Sequence, residues 1–179
     1  MEIITVHFAF GTYGTRLHGG PAPTVMRPQN RVGDPFVEWD PELHELSRKT
    51  LSETPCYFDL EQRLFVEDEI PLLCERGGWT YHIAGCQSDH VHALLSMTVK
   101  PKTARRWLKT WLTQALNTRF HHRTWFADGG SGKWIFDDSY FLNAYQYISN
   151  QRTHEQSRGL CPRCVERSPL AGSTAPGSE

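Results

Sequence analysis

The pattern of apolar and polar positions predicts a strand at the start of the chain. Over Ile3–Phe10, β-branched and aromatic residues alternate with smaller or polar ones until Gly11 breaks the pattern. The segment 11–40 is rich in Gly and Pro and has no sustained period, which predicts a long loop, followed by a short helix over 41–50. We therefore expect a long loop insertion over about 11–58.

The middle of the chain predicts two helices that flank a pair of strands. Asp59 is a suitable N-cap for a helix that runs to about Glu75, is kinked by Pro71 and is followed by two glycines. Two strands follow over 79–86 and 90–97, joined by a short polar turn. The strongest three-and-four repeat of apolar residues then predicts a helix from about Thr103 to Arg119.

The last third of the chain predicts one more strand and one more helix. A Gly-rich turn precedes a strand over 133–136, and Asp137 or Asp138 caps a helix that ends near Arg152. The order strand, helix, strand, strand, helix, strand is that of the split β-α-β arrangement in ferredoxin-like folds. We predict an α+β domain over 1–152, with an antiparallel sheet, helices on one face and an extra C-terminal helix, and a flexible tail over 153–179.

Composition excludes several classes of protein. Nineteen Lys and Arg against twenty Asp and Glu give a net charge of −1, so the chain is not a polybasic protein that coats nucleic acid. It has no apolar run long enough to cross a membrane, and its start carries an early acid. Five scattered cysteines do not form a secreted disulfide framework. These features predict a soluble, cytoplasmic protein with no membrane partner.

The charges are distributed unevenly along the chain. No Asp or Glu occurs between His90 and Ala127, whereas acids predominate over 34–75. Four basic residues of this block fall on the strong helix and can contact DNA phosphates: Lys102, Arg105, Arg106 and Lys109. A solvated basic helix face is the alternative interpretation. Trp107 and Trp111 lie on the apolar stripe of the helix, which favours the core over base stacking.

The most informative short motif is His90-Val91-His92. On a strand, residues two apart share a face, so both imidazoles point the same way while Val91 and Ala93 point into the core. Two imidazoles in that arrangement can chelate one metal ion. Because an H-x-H triplet is common by chance, two ordinary surface histidines are the alternative.

The last helix presents a tyrosine and a glutamine one turn apart. An apolar stripe that includes Ala144 and Ile148 leaves Tyr147 and Gln151 on a neighbouring, more polar face. A tyrosine beside an amide oxygen that can ligate a metal suits a nucleophile in phosphoryl transfer. Alternatively, Tyr147 is an ordinary residue of an amphipathic helix.

Together these motifs resemble the single-tyrosine HUH endonucleases, which are the transposases of small insertion sequences and of REP-associated elements. The resemblance rests on Asp89–Leu95 paired with Tyr147–Gln151, is also carried by segments 10–17 and 129–137, and covers about Ile3 to Arg152. It implies a ferredoxin-like core whose C-terminal helix carries the catalytic Tyr147. It further implies a divalent ion, Mg²⁺ or Mn²⁺, held by His90, His92 and Gln151.

The resemblance also implies a reaction and its partners. Tyr147 attacks a phosphodiester of single-stranded DNA, forms a covalent 5′-phosphotyrosine and releases a 3′-hydroxyl, and a second 3′-hydroxyl reverses the step to join strands. The expected substrates are hairpin or palindromic element ends, with Arg16 as a weaker candidate for DNA contact. Some members of the family are dimers, so a homodimer is one expected assembly.

The sequence is also compatible with two other functions. Cys161 and Cys164 form a C-x-x-C that could complete a tetrahedral zinc site with His90 and His92, as in a small zinc-binding protein. A non-catalytic nucleic-acid-binding module on the same sheet is the other alternative. Such a module needs exposed aromatic side chains on its strands, for which Trp79 and Tyr81 are the candidates.

Overall fold

The computed structural model of the chain describes residues 2–21, 24 and 37–153. Within these residues the chain forms four strands and four helices, in the order β1 (Ile4–Gly11), α1 (Pro41–Lys49), α2 (Leu60–Gly77), β2 (Thr80–Cys86), β3 (His90–Met97), α3 (Pro101–Arg119), β4 (Ser131–Ile135) and α4 (Asp138–Ser149). Every element that the sequence predicts is present, with ends that differ by up to about three residues.

The strands form one antiparallel sheet in the order β2-β3-β1-β4. Strands β1 and β2, which α2 connects, run in the same direction, and β3 lies between them and pairs with both. In this register Ala9 lies opposite His92, and His7 lies opposite Lys133 of β4. The predicted α+β architecture with an antiparallel sheet is confirmed.

Helices cover both faces of the sheet. On one face, the buried residues of β1 pack with those of α2 and α3; from β1 these are Val6, Phe8 and Phe10. On the other face, Ile83 and Leu94 pack against Ala144 and Ile148 of α4. The alternation along β1 and β3 therefore separates a large core from a smaller one, and α4 lies on the face opposite α2 and α3.

Local signals explain where the helices begin and end. The side chain of Asp59 accepts a hydrogen bond from the Gln62 backbone N–H while Gln62 bonds back to the Asp59 backbone, a capping box that starts α2. Gly78, with φ of +66°, ends it. Helix α3 begins at Pro101, two residues before the predicted start, because proline is tolerated in the first turn.

Some predictions fall on residues outside the described part of the chain. The flexible tail predicted over 153–179 lies there from residue 154 onward, together with Cys161 and Cys164 of the zinc alternative. Most of the predicted loop between 22 and 36 lies there as well. Among the helices that the structure describes, none is long and apolar enough to span a membrane.

Candidate active site

The two histidines of β3 lie on the sheet face that α4 covers. Their neighbours Val91 and Ala93 are fully buried in the larger core, as the alternation predicts. The His92 residue is 7% exposed and the His90 side chain 19% exposed. Their ring centroids lie 4.9 Å apart with the rings nearly perpendicular. The strand therefore presents two adjacent imidazoles on one face.

His90 is oriented by the residue that precedes it. Its Nδ1 lies 2.5 Å from Asp89 Oδ1, and because a carboxylate only accepts hydrogen bonds, this nitrogen carries the proton. The Arg16 guanidinium lies 3.5 Å from the other carboxylate oxygen. Partial burial opposes ionisation of Asp89, but the hydrogen bond and charge of His90 and the charge of Arg16 lower its pKa overall. The Nε2 of His90 is left to face the site.

His92 is a neutral imidazole in contact with a third histidine. Its Nδ1 lies 3.0 Å from Nε2 of His7 on β1, and the two ring centroids are 5.1 Å apart. Burial, followed by the nearby His90, His7 and Arg16, lowers the pKa of His92 to about 3. An imidazole that stays neutral keeps a lone pair available for a metal ion.

Helix α4 brings Tyr147 and Gln151 to the histidines. Ala144 and Ile148 are buried against the sheet, which leaves Tyr147 48% exposed on the adjoining side of the helix. The Tyr147 ring centroid lies 5.2 Å from that of His92. Gln151 Oε1, just beyond the helix, lies 3.2 Å from His90 Nε2, although the two residues are 61 positions apart in the chain. All four predicted site residues thus meet within one chain.

A glycine on β2 lets α4 approach the sheet closely. Gly85 lies opposite His92, and a Cβ at this position would be 3.1 Å from the backbone carbonyl oxygen of Ile148. That oxygen belongs to the turn of helix that carries Tyr147. The absence of a side chain at Gly85 therefore sets the height of the tyrosine above the histidines.

The chain beyond α4 is fixed by a buried carboxylate of α2. Glu67 is fully buried, and its Oε1 accepts hydrogen bonds from the backbone N–H groups of Cys86 and Thr153, at 2.8 and 3.0 Å. The buried Arg152 guanidinium has its Nε 4.0 Å from Glu67 Oε2. Gln87 also donates a hydrogen bond to the Gln151 carbonyl. These contacts to Gln151 and to the two residues after it hold Gln151 in place.

The donor set fits a divalent ion. The Nε2 of His90 lies 3.2 Å from the amide oxygen of Gln151, so both atoms can contact the same cation when His90 is neutral. Ligands about 2.1 Å from an octahedral ion and at right angles lie about 3 Å apart, close to the 3.2 Å observed. Imidazole nitrogen and amide oxygen suit Mg²⁺ or Mn²⁺ when water completes the shell.

The proposed set of three metal ligands includes the side-chain amide of Gln151. Within residues 2–21, 24 and 37–153, no group of three His, Cys, Asp or Glu side chains could hold a metal ion. The candidate for a third protein ligand beside His90 and His92 is therefore Gln151, whose amide oxygen lies 3.2 Å from His90 Nε2.

The predicted DNA contacts divide into two groups. Arg16 lies at the site, beside Asp89 and His90. The four basic residues of α3 lie across the sheet from the histidines, since α3 packs on the opposite face. Arg105 donates to the carbonyl of Gly130 and Lys109 to that of Ala127, so both support the loop before β4.

Lys102 and Arg106 are exposed on α3. A DNA-binding role for this helix face stays a prediction. For Arg105 and Lys109 the structure adds the loop contacts, which the charge pattern alone does not predict.

Sequence reasoning did not single out two residues of this face, His7 and Lys133. Burial, and then the charge of Lys133, lower the pKa of His7. Lys133 is exposed on the edge strand. The sequence signal for His7 was its place among the less apolar, alternate positions of β1, which share one face of the strand. Its proximity to His92 depends on how β1 pairs with β3, which no local pattern reveals.

The two aromatics suggested for a binding module, Trp79 and Tyr81, pack against the larger core. Trp79 is 7% exposed because it packs against Trp111, with ring centroids 5.3 Å apart, and the Tyr81 hydroxyl accepts a hydrogen bond from the Ala84 backbone. Trp111 is half-buried against the core, as predicted, whereas Trp107 is 38% exposed. Packing against the core therefore engages the two aromatics on which the non-catalytic binding module was based.

Comparison with known proteins yields little. No family model matches the chain, and no curated protein matches it. A solved structure of a proposed transposase from Deinococcus radiodurans R1 is similar, with 13% sequence identity, a TM-score of 0.42, and coverage of 85% of this chain and 93% of that one.

Proposed function

We propose that this chain is a single-tyrosine HUH endonuclease and strand transferase of the transposase type, built on a ferredoxin-like core. The observation that carries the proposal is the convergence of four side chains of suitable chemistry from two separate elements. The ring of Tyr147 lies 5.2 Å from that of His92, and Gln151 Oε1 lies 3.2 Å from His90 Nε2. The expected substrate is single-stranded DNA at hairpin or palindromic element ends.

The reaction is a transesterification in which Tyr147 is the nucleophile. A bond forms between its phenolic oxygen and the phosphorus as the bond from phosphorus to the 3′ oxygen breaks. The phenol proton passes to solvent, and the departing oxygen takes up a proton to become a free 3′-hydroxyl. A second 3′-hydroxyl attacks the phosphotyrosine in reverse, so no nucleotide cofactor is consumed.

The other residues of the site bind the metal ion or orient its ligands. His90, His92 and Gln151 would hold Mg²⁺ or Mn²⁺, which when bound stabilises the charge that develops on the phosphate oxygens. Asp89 fixes the tautomer of His90, and burial keeps His92 neutral.

Two side chains of the site, Tyr147 and Arg16, are exposed enough to contact DNA. The 48% exposure of Tyr147 leaves room for a strand to approach. The Arg16 side chain, 46% exposed, can contact a neighbouring phosphate. Because one chain supplies all four central residues, the site can form in cis. A homodimer stays a prediction.

The test is covalent capture of DNA. We incubate the protein with Mn²⁺ and a hairpin-bearing single-stranded DNA labelled at its 3′ end, since a 5′-phosphotyrosine retains the downstream fragment. Wild type should give a labelled adduct on a denaturing gel, and chelation of the metal should abolish it. Tyr147→Phe should give none.

Matched controls come from the same helix. Tyr145→Phe removes a hydroxyl from a half-buried ring that packs on Phe141, and Tyr140→Phe changes the first turn of α4. Both should retain the adduct. No adduct from wild type, or an undiminished one from Tyr147→Phe, would overturn the proposal.

A further inference from the structure

We propose that His7 is a positioning residue of the candidate metal site: it accepts a hydrogen bond from Nδ1 of His92 and so directs the Nε2 lone pair of His92 toward the ion. This inference rests on the proposed function, because it assigns a role toward the same site. It comes from a contact between two strands, with His7 Nε2 3.0 Å from His92 Nδ1.

The hydrogen bond has only one direction that leaves Nε2 of His92 able to bind a metal ion. A hydrogen bond between two imidazoles needs one N–H donor and one bare nitrogen. Nδ1 of His92 is engaged by His7, so Nε2 is the nitrogen available as a ligand. If His92 donates from Nδ1, its Nε2 is bare; if His7 donates, a neutral His92 carries its proton on Nε2 and cannot bind.

His90 provides an internal comparison. Its Nδ1 is held by Asp89 at 2.5 Å, which leaves Nε2 toward Gln151. His92 has the same arrangement, with the imidazole of His7 in place of the carboxylate. Both histidines of the strand thus have a partner on Nδ1, which leaves Nε2 of each as the proposed ligand. Loss of such a partner typically lowers metal affinity about 10–100-fold.

Strand pairing explains why β1 supplies this partner. Ala9 lies directly opposite His92, and its small side chain leaves space that the ring of His7, two residues earlier on the same face, can reach. The His7 ring centroid also lies 6.1 Å from that of Tyr147. One ring therefore borders both a proposed ligand and the proposed nucleophile.

The first test reads the tautomer of His92 directly. Nitrogen-15 NMR of the histidine side chains in the metal-free protein should give His92 protonated on Nδ1. This measurement needs no variant, so it applies even if substitutions at His7 impair folding. Protonation of His92 on Nε2 would overturn the inference.

The second test measures Mn²⁺ affinity without DNA. His7→Leu, which cannot accept a hydrogen bond, should weaken Mn²⁺ binding about 10–100-fold. His7→Gln, whose amide oxygen can accept, should restore most of it. Thr5→Val is the matched control, since Thr5 lies on the same face of β1 but bonds Ser96 at 2.7 Å instead of His92. It should leave affinity unchanged.

The outcomes separate the inference from the proposed function. Wild type that binds Mn²⁺ and forms the DNA adduct, together with His7→Leu of equal affinity, overturns the role of His7 and leaves the function standing. Wild type that neither binds Mn²⁺ nor forms an adduct overturns the function. In that case the NMR measurement still decides whether His7 sets the tautomer of His92.

Discussion

Gly85→Ala tests whether the distance between α4 and the sheet controls the candidate site. The added methyl group would lie 3.1 Å from the Ile148 carbonyl oxygen, 3.4 Å from Ile148 Cγ2 and 3.5 Å from Arg152 Cγ. The oxygen belongs to the helix backbone and cannot rotate away as a side chain would. Helix α4 must therefore move by a few tenths of an ångström, and Tyr147 with it.

The magnitude follows from two opposing effects on stability. Overpacking a tight contact costs about 1–3 kcal/mol, and replacing glycine in a strand returns roughly 0.5–1 kcal/mol. The difference is a loss of about 0–2.5 kcal/mol, which corresponds to a fall in Tm of up to several degrees for a chain of this size. A misplacement of 1 Å costs a reaction about 100-fold, so a shift of roughly 0.3–0.5 Å should slow adduct formation about 4–10-fold.

Gly132→Ala is the matched control for this experiment. A Cβ on Gly132 would lie 3.2 Å from a ring carbon of Phe8 and 3.4 Å from Val6 Cγ1, on the face opposite α4. We expect a similar fall in Tm by circular dichroism with an unchanged initial rate of adduct formation at saturating Mn²⁺. If Gly85→Ala slows the reaction no more than Gly132→Ala does, the close approach at Gly85 does not set the geometry of the site.

Two further predictions concern the remainder of the molecule. If the exposed side of α3 binds phosphates, Lys102→Ala with Arg106→Ala should reduce the salt slope of single-stranded DNA affinity by about 1.4, measured by fluorescence anisotropy; an unchanged slope would assign this side to solvent. Burial raises the pKa of the Cys74 thiol from 9.0 to about 12, so the unfolded chain loses that proton first and the free energy of unfolding falls as the pH rises from 9.0 toward 12. Cys74→Ala should make that fall shallower in urea titrations, and an equally steep fall in the variant would contradict the assignment.

Much of the fold could be predicted because burial leaves a period in the sequence. The alternation along β1 and the three-and-four repeat of α3 each mark one buried face, and the structure buries those faces. The ends of the helices were less predictable, since capping residues decide where a helix stops. Helix α4 ends at Ser149, with Asn150 as its C-cap, although apolar spacing alone extends the prediction to about Arg152.

The relative positions of candidate site residues that lie on the same strand or helix were also predictable. The separation of His90 and His92 by two residues predicts a shared strand face, and the helical period predicts Tyr147 beside the apolar stripe of α4. Both positions are observed. Their chemical roles stay predictions, because geometry on one element says nothing about which ion or substrate lies between them.

Contacts between elements were beyond the reach of such patterns, and Glu67 illustrates the reason. It lies in the acidic stretch 34–75, where no sequence pattern marks it for burial, yet it is fully buried. The carboxylate is satisfied by backbone donors of Cys86 and Thr153 and faces Arg152, partners that only tertiary folding brings together. Because Arg152 and Thr153 directly follow Gln151 in the chain, the position of a proposed metal ligand depends on a charge buried in α2. The contact between His7 and His92 also depends on tertiary folding, since it exists only in one register of β1 and β3.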